Sequence, residues 1–60
     1  RQDVMEALLN QLIVRRAEME QAIFQHPPED WAAFQRRMGA WVELSNLIIS
    51  MQETLNREDD

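Results

Sequence analysis

Side chains capable of general acid–base or nucleophilic catalysis are present in this sequence, but their spacing does not bring them together. Glu18 and Glu20 project about 200° apart around a helix, so they cannot converge on one substrate. His26 precedes two prolines, a position that favours a helix-terminal role near the negative end of the helix dipole over a role as a base. Ser45 and Ser50 have no base nearby in the sequence. We therefore expect no catalytic residue and no enzymatic activity.

Cofactor and metal sites are also not expected from this composition. The chain has no cysteine and one histidine, which cannot form a metal site alone, and it has no glycine-rich phosphate loop. Its net charge is −5, with six arginines and no lysine, which argues against nucleic acid as the main partner. No apolar run approaches the roughly 18 residues of a membrane span, so a membrane is not an expected partner either.

The elements that would position any functional residue are set by the segment His26-Pro27-Pro28-Glu29-Asp30 near the midpoint. The two prolines end a preceding helix, while proline followed by acidic residues suits the first turn of a new one. We predict an all-α fold, an antiparallel two-helix hairpin forming one domain over residues 1–60. Its helices should cover about 3–25 and 29–56, joined by a turn at 26–28.

Apolar residues recur at helical spacing in both halves and predict how the helices meet. In the second half, Phe34, Trp41, Ile48 and Leu55 follow a strict repeat of seven, typical of a supercoiled helix pair. Ser45 lies on this seam, where its hydroxyl could bond a carbonyl one turn back. A fold at Pro27 predicts four pairs across the hairpin: Ile23 with Trp31, Met19 with Phe34, Leu12 with Trp41, and Met5 with Ile48.

Several small or apolar residues lie away from that predicted seam, and a two-helix unit cannot cover them. Val14, Val42, Leu47 and Ile49 are of this kind. Gly39 costs a helix roughly 1 kcal/mol relative to alanine, which a close approach by another helix would justify. It lies in a low-relief patch with Ala32, Ala33 and Ala40. These features predict that the hairpin assembles into a four-helix or larger helical bundle, a homodimer being the smallest solution.

Four of the six arginines come as two pairs, Arg15-Arg16 and Arg36-Arg37. The predicted pairing places Arg16 opposite Arg37, so all four would form one belt, with Glu20 and Glu43 as nearby carboxylates. The belt could set the register of an oligomer or dock an acidic partner, or the arginines could extend past the core into solvent. The predicted interface comprises Val14, Arg15, Arg16, Arg36, Arg37, Gly39, Val42, Leu47 and Ile49. Acidic residues dominate both ends: Glu29 and Asp30 at the turn, and Asp3, Glu6, Glu53, Glu58, Asp59 and Asp60 at the other end.

The second half resembles the second helix of small phage-encoded helical-hairpin proteins. The resemblance covers about half of the chain and consists of Asp30, Trp31, Phe34 and Gly39, followed by an apolar helix and an acidic tail. It differs at Trp41, where a smaller residue would be expected. The resemblance implies a viral protein that acts by contact with other proteins, either with head and neck assembly genes of tailed phages or among early genes that alter the host.

Three interpretations of function remain open at this point. The first is a non-enzymatic, self-associating hairpin with an assembly or accessory role in a phage, found in the host cytoplasm or the virion. The second is a regulatory module or co-chaperone that docks its apolar face on a host or cognate protein. The third is an oligomerisation segment of a longer protein. The first residue, Arg1, favours the third interpretation, whereas the charged ending at 57–60 resembles a natural terminus.

Overall fold

The computed structural model describes residues 2–59, which form two α-helices, α1 (Gln2–Gln25) and α2 (Trp31–Asp59). The helices pack against each other as an elongated hairpin with Cα dimensions of 45 × 16 × 11 Å. The prediction of an all-helical, two-helix hairpin is therefore confirmed. Neither described helix is long and apolar enough to cross a membrane. Of the predicted acidic terminus, Asp60 and the side chains of Glu58 and Asp59 lie outside the described part.

The connection between the helices is longer than the predicted turn. The backbone N–H of His26 donates to the Ala22 carbonyl (2.8 Å), which completes the last turn of α1 just before the prolines. Asp30 then caps α2: its carboxylate accepts the Ala33 N–H (2.8 Å) and its carbonyl accepts the Phe34 N–H (3.0 Å). Because Asp30 is the cap, α2 begins at residue 31, two residues later than expected, and residues 26–30 form the connection.

The cap at Asp30 makes a testable contribution to stability. We expect Asp30→Ala to lower the free energy of unfolding by about 1 kcal/mol, because the Ala33 N–H loses its acceptor. Urea unfolding followed by circular dichroism at one fixed chain concentration measures this loss. Glu29→Ala removes the adjacent exposed carboxylate and is the matched control, with a smaller expected loss. Equal losses in the two variants would show that general charge near the helix end, and not the cap, is responsible.

The core of the hairpin is small and lies between the middle of the helices and their open end. Leu9, Ile48 and Leu55 are its buried apolar residues, and Ile48 is only 1% exposed. Five partly buried residues pack against them: Met5, Leu12, Ile13, Leu44 and Met51. Two members of the predicted repeat of seven, Ile48 and Leu55, thus lie in the core.

The pairing of residues across the hairpin differs from the predicted one. Ile23 shares a surface recess with Met38, which is seven residues beyond its expected neighbour Trp31. Met19 likewise shares a recess with Ala40, which is six residues beyond its expected neighbour Phe34. Helix α2 is therefore displaced along α1 by about seven residues, or two helical turns. A shift of one repeat leaves equivalent apolar residues facing α1, so the five-residue connection decides the register and the repeat does not.

This displacement leaves the first turn of α2 extending past the end of α1. Trp31 remains 68% exposed, and its ring stacks on that of Phe34 with the centroids 5.3 Å apart. The predicted contact between Trp31 and Ile23 is therefore replaced by a local aromatic pair within α2.

Candidate protein-interaction surface

A polar cluster occupies the seam midway along the hairpin. The Arg16 guanidinium donates to the Ser45 hydroxyl (3.2 Å), and its Cζ lies 5.9 Å from the centroid of the Trp41 ring. The Trp41 indole N–H in turn donates to a Glu20 carboxylate oxygen (3.0 Å). The half-buried Arg16 thus has a hydroxyl and an aromatic face as partners, where a carboxylate was expected. Ser45, expected to bond a carbonyl of its own helix, accepts a hydrogen bond from the other helix.

The predicted belt of four arginines is corrected by the register of the hairpin. Arg37 donates to the backbone carbonyl of His26 (3.1 Å), whereas Arg16 contacts Ser45 and Trp41 further along the hairpin. Arg16 therefore does not lie opposite Arg37, and the two arginine pairs are at different levels. The hydrogen bond from Arg37 joins α2 to the connection, so Arg37 has a structural role within one chain.

One broad face of the hairpin carries apolar residues from both helices. Arg15, Met19, Ala40, Glu43, Leu44 and Leu47 line a shallow recess on this side. Each helix has a stripe here with a spacing of four, three and four: Leu8, Leu12, Arg15 and Met19 on α1, and Ala40, Leu44, Leu47 and Met51 on α2. This spacing is that of a coiled-coil seam. We call these two stripes the Leu47 face; Leu47 itself is 48% exposed.

Two further predicted interface residues lie at the turn end of the Leu47 face: Arg37 lines a recess with Met19 and Ala40, and Arg36 is one turn before Ala40. The remaining apolar ones lie elsewhere. Val42 and Ile49 are seven residues apart on the opposite edge of α2, and Ile49 is about 200° around the helix from Leu47. We call this pair the Ile49 edge. Val14 lies on the outer side of α1 and is 56% exposed. The predicted interface therefore divides among separate surfaces, with Arg15 and Leu47 brought together.

The spacing of four, three and four was the sequence signal for the Leu47 face, and sequence analysis missed it. Leu8, Met19, Ala40 and Glu43 were not among the predicted interface residues. Met19 and Ala40 had been assigned to the hairpin seam and to the glycine patch respectively. Their common face becomes apparent once the register is known.

Among the described residues, no three His, Cys, Asp or Glu side chains are grouped so that they could hold a metal ion.

Gly39 meets nothing within its own chain. A Cβ atom added at this position has no neighbour within 4 Å, and the residue lies on the outer side of α2, away from the Leu47 face. The folded hairpin therefore does not require glycine here. The close approach predicted for Gly39 would need another molecule on that outer side.

A substitution at Gly39 shows whether the glycine is merely tolerated in α2 or is needed for the close approach of another helix. We expect Gly39→Ala to raise the free energy of unfolding by about 1 kcal/mol, because alanine is the better helix former and has room. Self-association, measured by sedimentation equilibrium, should remain unchanged. Weaker self-association in a better-folded variant would contradict this expectation and place Gly39 in an interface.

The chain matches no family model, no curated protein and no solved structure. The resemblance of α2 to phage helical hairpins therefore remains a prediction from Asp30, Trp31, Phe34 and Gly39. What the protein does must be argued from the distribution of its exposed apolar residues and charges.

Proposed function

We propose that the protein acts without catalysis, as a helical hairpin that associates with copies of itself and works by protein–protein contact. Its role would be in the assembly of a phage particle or as an accessory protein in the infected cell. The resemblance of α2 to phage-encoded hairpins supports the viral part of the proposal. The number of large apolar side chains that the hairpin leaves exposed supports the self-association part.

The observation that carries the proposal is how little of its apolar surface the hairpin buries. Three apolar residues are buried among the described side chains, while eight large ones are exposed: Val4, Leu8, Val14, Phe24, Trp31, Val42, Leu47 and Ile49. Apolar burial is the main favourable term in folding, and two helices of this size bury too little for a stable domain. Association would supply the missing burial.

A regulatory binding module is the second candidate, and the Ile49 edge favours it. Val42 and Ile49 are both exposed at a spacing of seven residues. Exposed apolar residues at such spacing on a helix suit the groove of a different protein, where they act as anchors. A dimer formed through the Leu47 face would leave this edge available for a host or cognate protein.

The molar mass in solution tests the proposal directly. We would measure light scattering on a size-exclusion column across a series of chain concentrations, with helicity recorded on the same samples. A defined dimer or larger closed oligomer, with helicity that rises as it forms, is the expected result.

A stable, fully helical monomer at every concentration would overturn self-association. It would favour the second candidate, because the exposed apolar residues would then be available to a different protein. An unfolded chain at low concentration that folds on concentrating would agree with the proposal, since folding and assembly would be coupled.

A further inference from the structure

We infer that two copies stack through their Leu47 faces with both turns at the same end, so that Arg15 of each copy contacts Glu43 of the other. This inference rests on the proposed self-association and adds its surface, orientation and charge pairing. The two stripes of the Leu47 face have the same spacing, and they lie level with each other in the hairpin, with Met19 beside Ala40 and Arg15 beside Leu44. A two-fold axis along the hairpin therefore places the α1 stripe of one copy on the α2 stripe of the other.

The size of the face fits a second copy of this chain. The whole side of the hairpin that carries the Leu47 face measures 45 × 16 Å, on the order of 700 Å², so a second copy stacked along its full length would cover close to the roughly 800 Å² per partner of a stable interface. Both helices contribute apolar residues to it. On the side of the Ile49 edge, α1 presents Ile13, Ala17 and the exposed Phe24, followed by Asn10 and Gln21 further out, so that side carries apolar residues as well. The Leu47 face differs in carrying Arg15 on one helix and Glu43 on the other, and this charge complementarity suits pairing with a second copy.

The charges at the borders of the Leu47 face determine the orientation. Arg15 lies at its α1 border and Glu43 at its α2 border, near the middle of the hairpin. When both turns lie at the same end, α1 of one copy covers α2 of the other, and Arg15 meets Glu43 twice. When the turns lie at opposite ends, α1 covers α1, and Arg15 approaches its own copy close to the two-fold axis, as Glu43 does. Like charges at that distance are unfavourable, so the first orientation is preferred.

The acidic side chains described at the open end do not oppose this orientation. Asp3, Glu6 and Glu53 are exposed at that end, but their helical positions place them on the side of the Ile49 edge. In the stacked dimer they point away from the other copy. Their repulsion across the two-helix layer is screened, because the Debye length is about 8 Å at physiological salt.

A charge-reversal experiment tests the contact between Arg15 and Glu43. Arg15→Glu and Glu43→Arg should each weaken the homodimer by about 10- to 30-fold, because two attractive pairs become two repulsive ones. A one-to-one mixture of the two variants should restore the wild-type affinity, since both contacts in the mixed dimer again join opposite charges. The pair within each chain remains mismatched in that mixture, so rescue on mixing reports contact between copies. Glu18→Arg, a reversal on the outer side of α1, is the matched control and should not respond to mixing.

The same experiment separates failure of this inference from failure of the proposed function. A wild-type chain that stays monomeric overturns both. A dimer that both reversals leave unchanged overturns the inference and leaves self-association standing. If the two reversals each dimerise as well as the wild type and their mixture associates more tightly than the wild type, the turns lie at opposite ends, because residues 15 and 43 then each face their own copy and only the mixture joins opposite charges.

Distances between spin labels give a second test that does not depend on charge. The natural chain has no cysteine, so Asn46→Cys near the middle of α2 and Asn56→Cys near its end can each be labelled singly. With both turns at the same end, the two variants should give similar distances across the dimer. With the turns at opposite ends, the Asn56 labels would separate by an additional component of about 30 Å along the helix axis, and the inference would be wrong.

Discussion

Ile48→Ala should unfold most of the hairpin. Ile48 is the most completely buried large side chain described, and it lies in the core with Leu9 and Leu55. Removing three side-chain carbons from such a site typically costs about 2–5 kcal/mol, the sum of lost burial and the cavity left behind. A hairpin with three buried apolar residues has little stability to lose. The helical signal at 25 °C and the thermal midpoint should therefore both fall sharply.

Ile49→Ala is the matched control, because it makes the same chemical change at the adjacent residue. Ile49 is 50% exposed, so its truncation removes little buried area and should change the free energy of unfolding by less than about 1 kcal/mol. Both variants must be compared at one chain concentration, since assembly contributes to the apparent stability. Similar losses for the two variants would contradict the register in which Ile48 faces α1.

The helices and the position of the turn could be predicted because their causes are local. Pro27 and Pro28 prevent helix continuation wherever they occur, and Asp30 provides a cap for the helix that follows. The start of α2 was predicted two residues early because Glu29 and Asp30 suited a first turn as well as a cap. The hydrogen bond from the Ala33 N–H to Asp30 resolves that ambiguity.

The pairing of the helices could not be predicted because a repeat of seven permits more than one register. Shifting α2 by seven residues replaces Trp31 with Met38 and Trp41 with Ile48, all of which are apolar. The length of the connection selects among these registers, and a turn assumed at Pro27 selected the wrong one. The arginine belt was wrong for the same reason, since Arg16 and Arg37 share a level only in the register with the shorter turn.

The sequence predicted which apolar residues of the candidate surface are exposed, but not which of them share a face of the hairpin. Val14, Val42, Leu47 and Ile49 are all exposed, as expected of residues away from the seam. Which of them share a face depends on where α1 lies, and that depends on the register. Leu47 and Arg15 belong to one surface only because Met19 and Leu44 are brought together between them.

Leu47→Glu should weaken self-association strongly, so that the helical signal is recovered only at higher chain concentration. Leu47 lies in the middle of the Leu47 face, and a two-fold axis would bury the new carboxylate twice in each dimer. Burying an unpaired charge is costly, and Glu43 one turn away adds repulsion. We expect the association constant to fall by at least about 100-fold, equivalent to roughly 2.7 kcal/mol. Sedimentation equilibrium measures the constant, and circular dichroism monitors helicity.

Ile49→Glu is the matched control, and it shows on which side of α2 the interface lies. It introduces the same charge at a residue of similar exposure, two positions along α2 but on the Ile49 edge. If hairpins pair through the Leu47 face, this variant should dimerise like the wild type, because its carboxylate remains in solvent. The opposite pattern, with Leu47→Glu dimeric and Ile49→Glu monomeric, would move the interface to the other side of α2. The Leu47 face would then be the surface left exposed for a different protein.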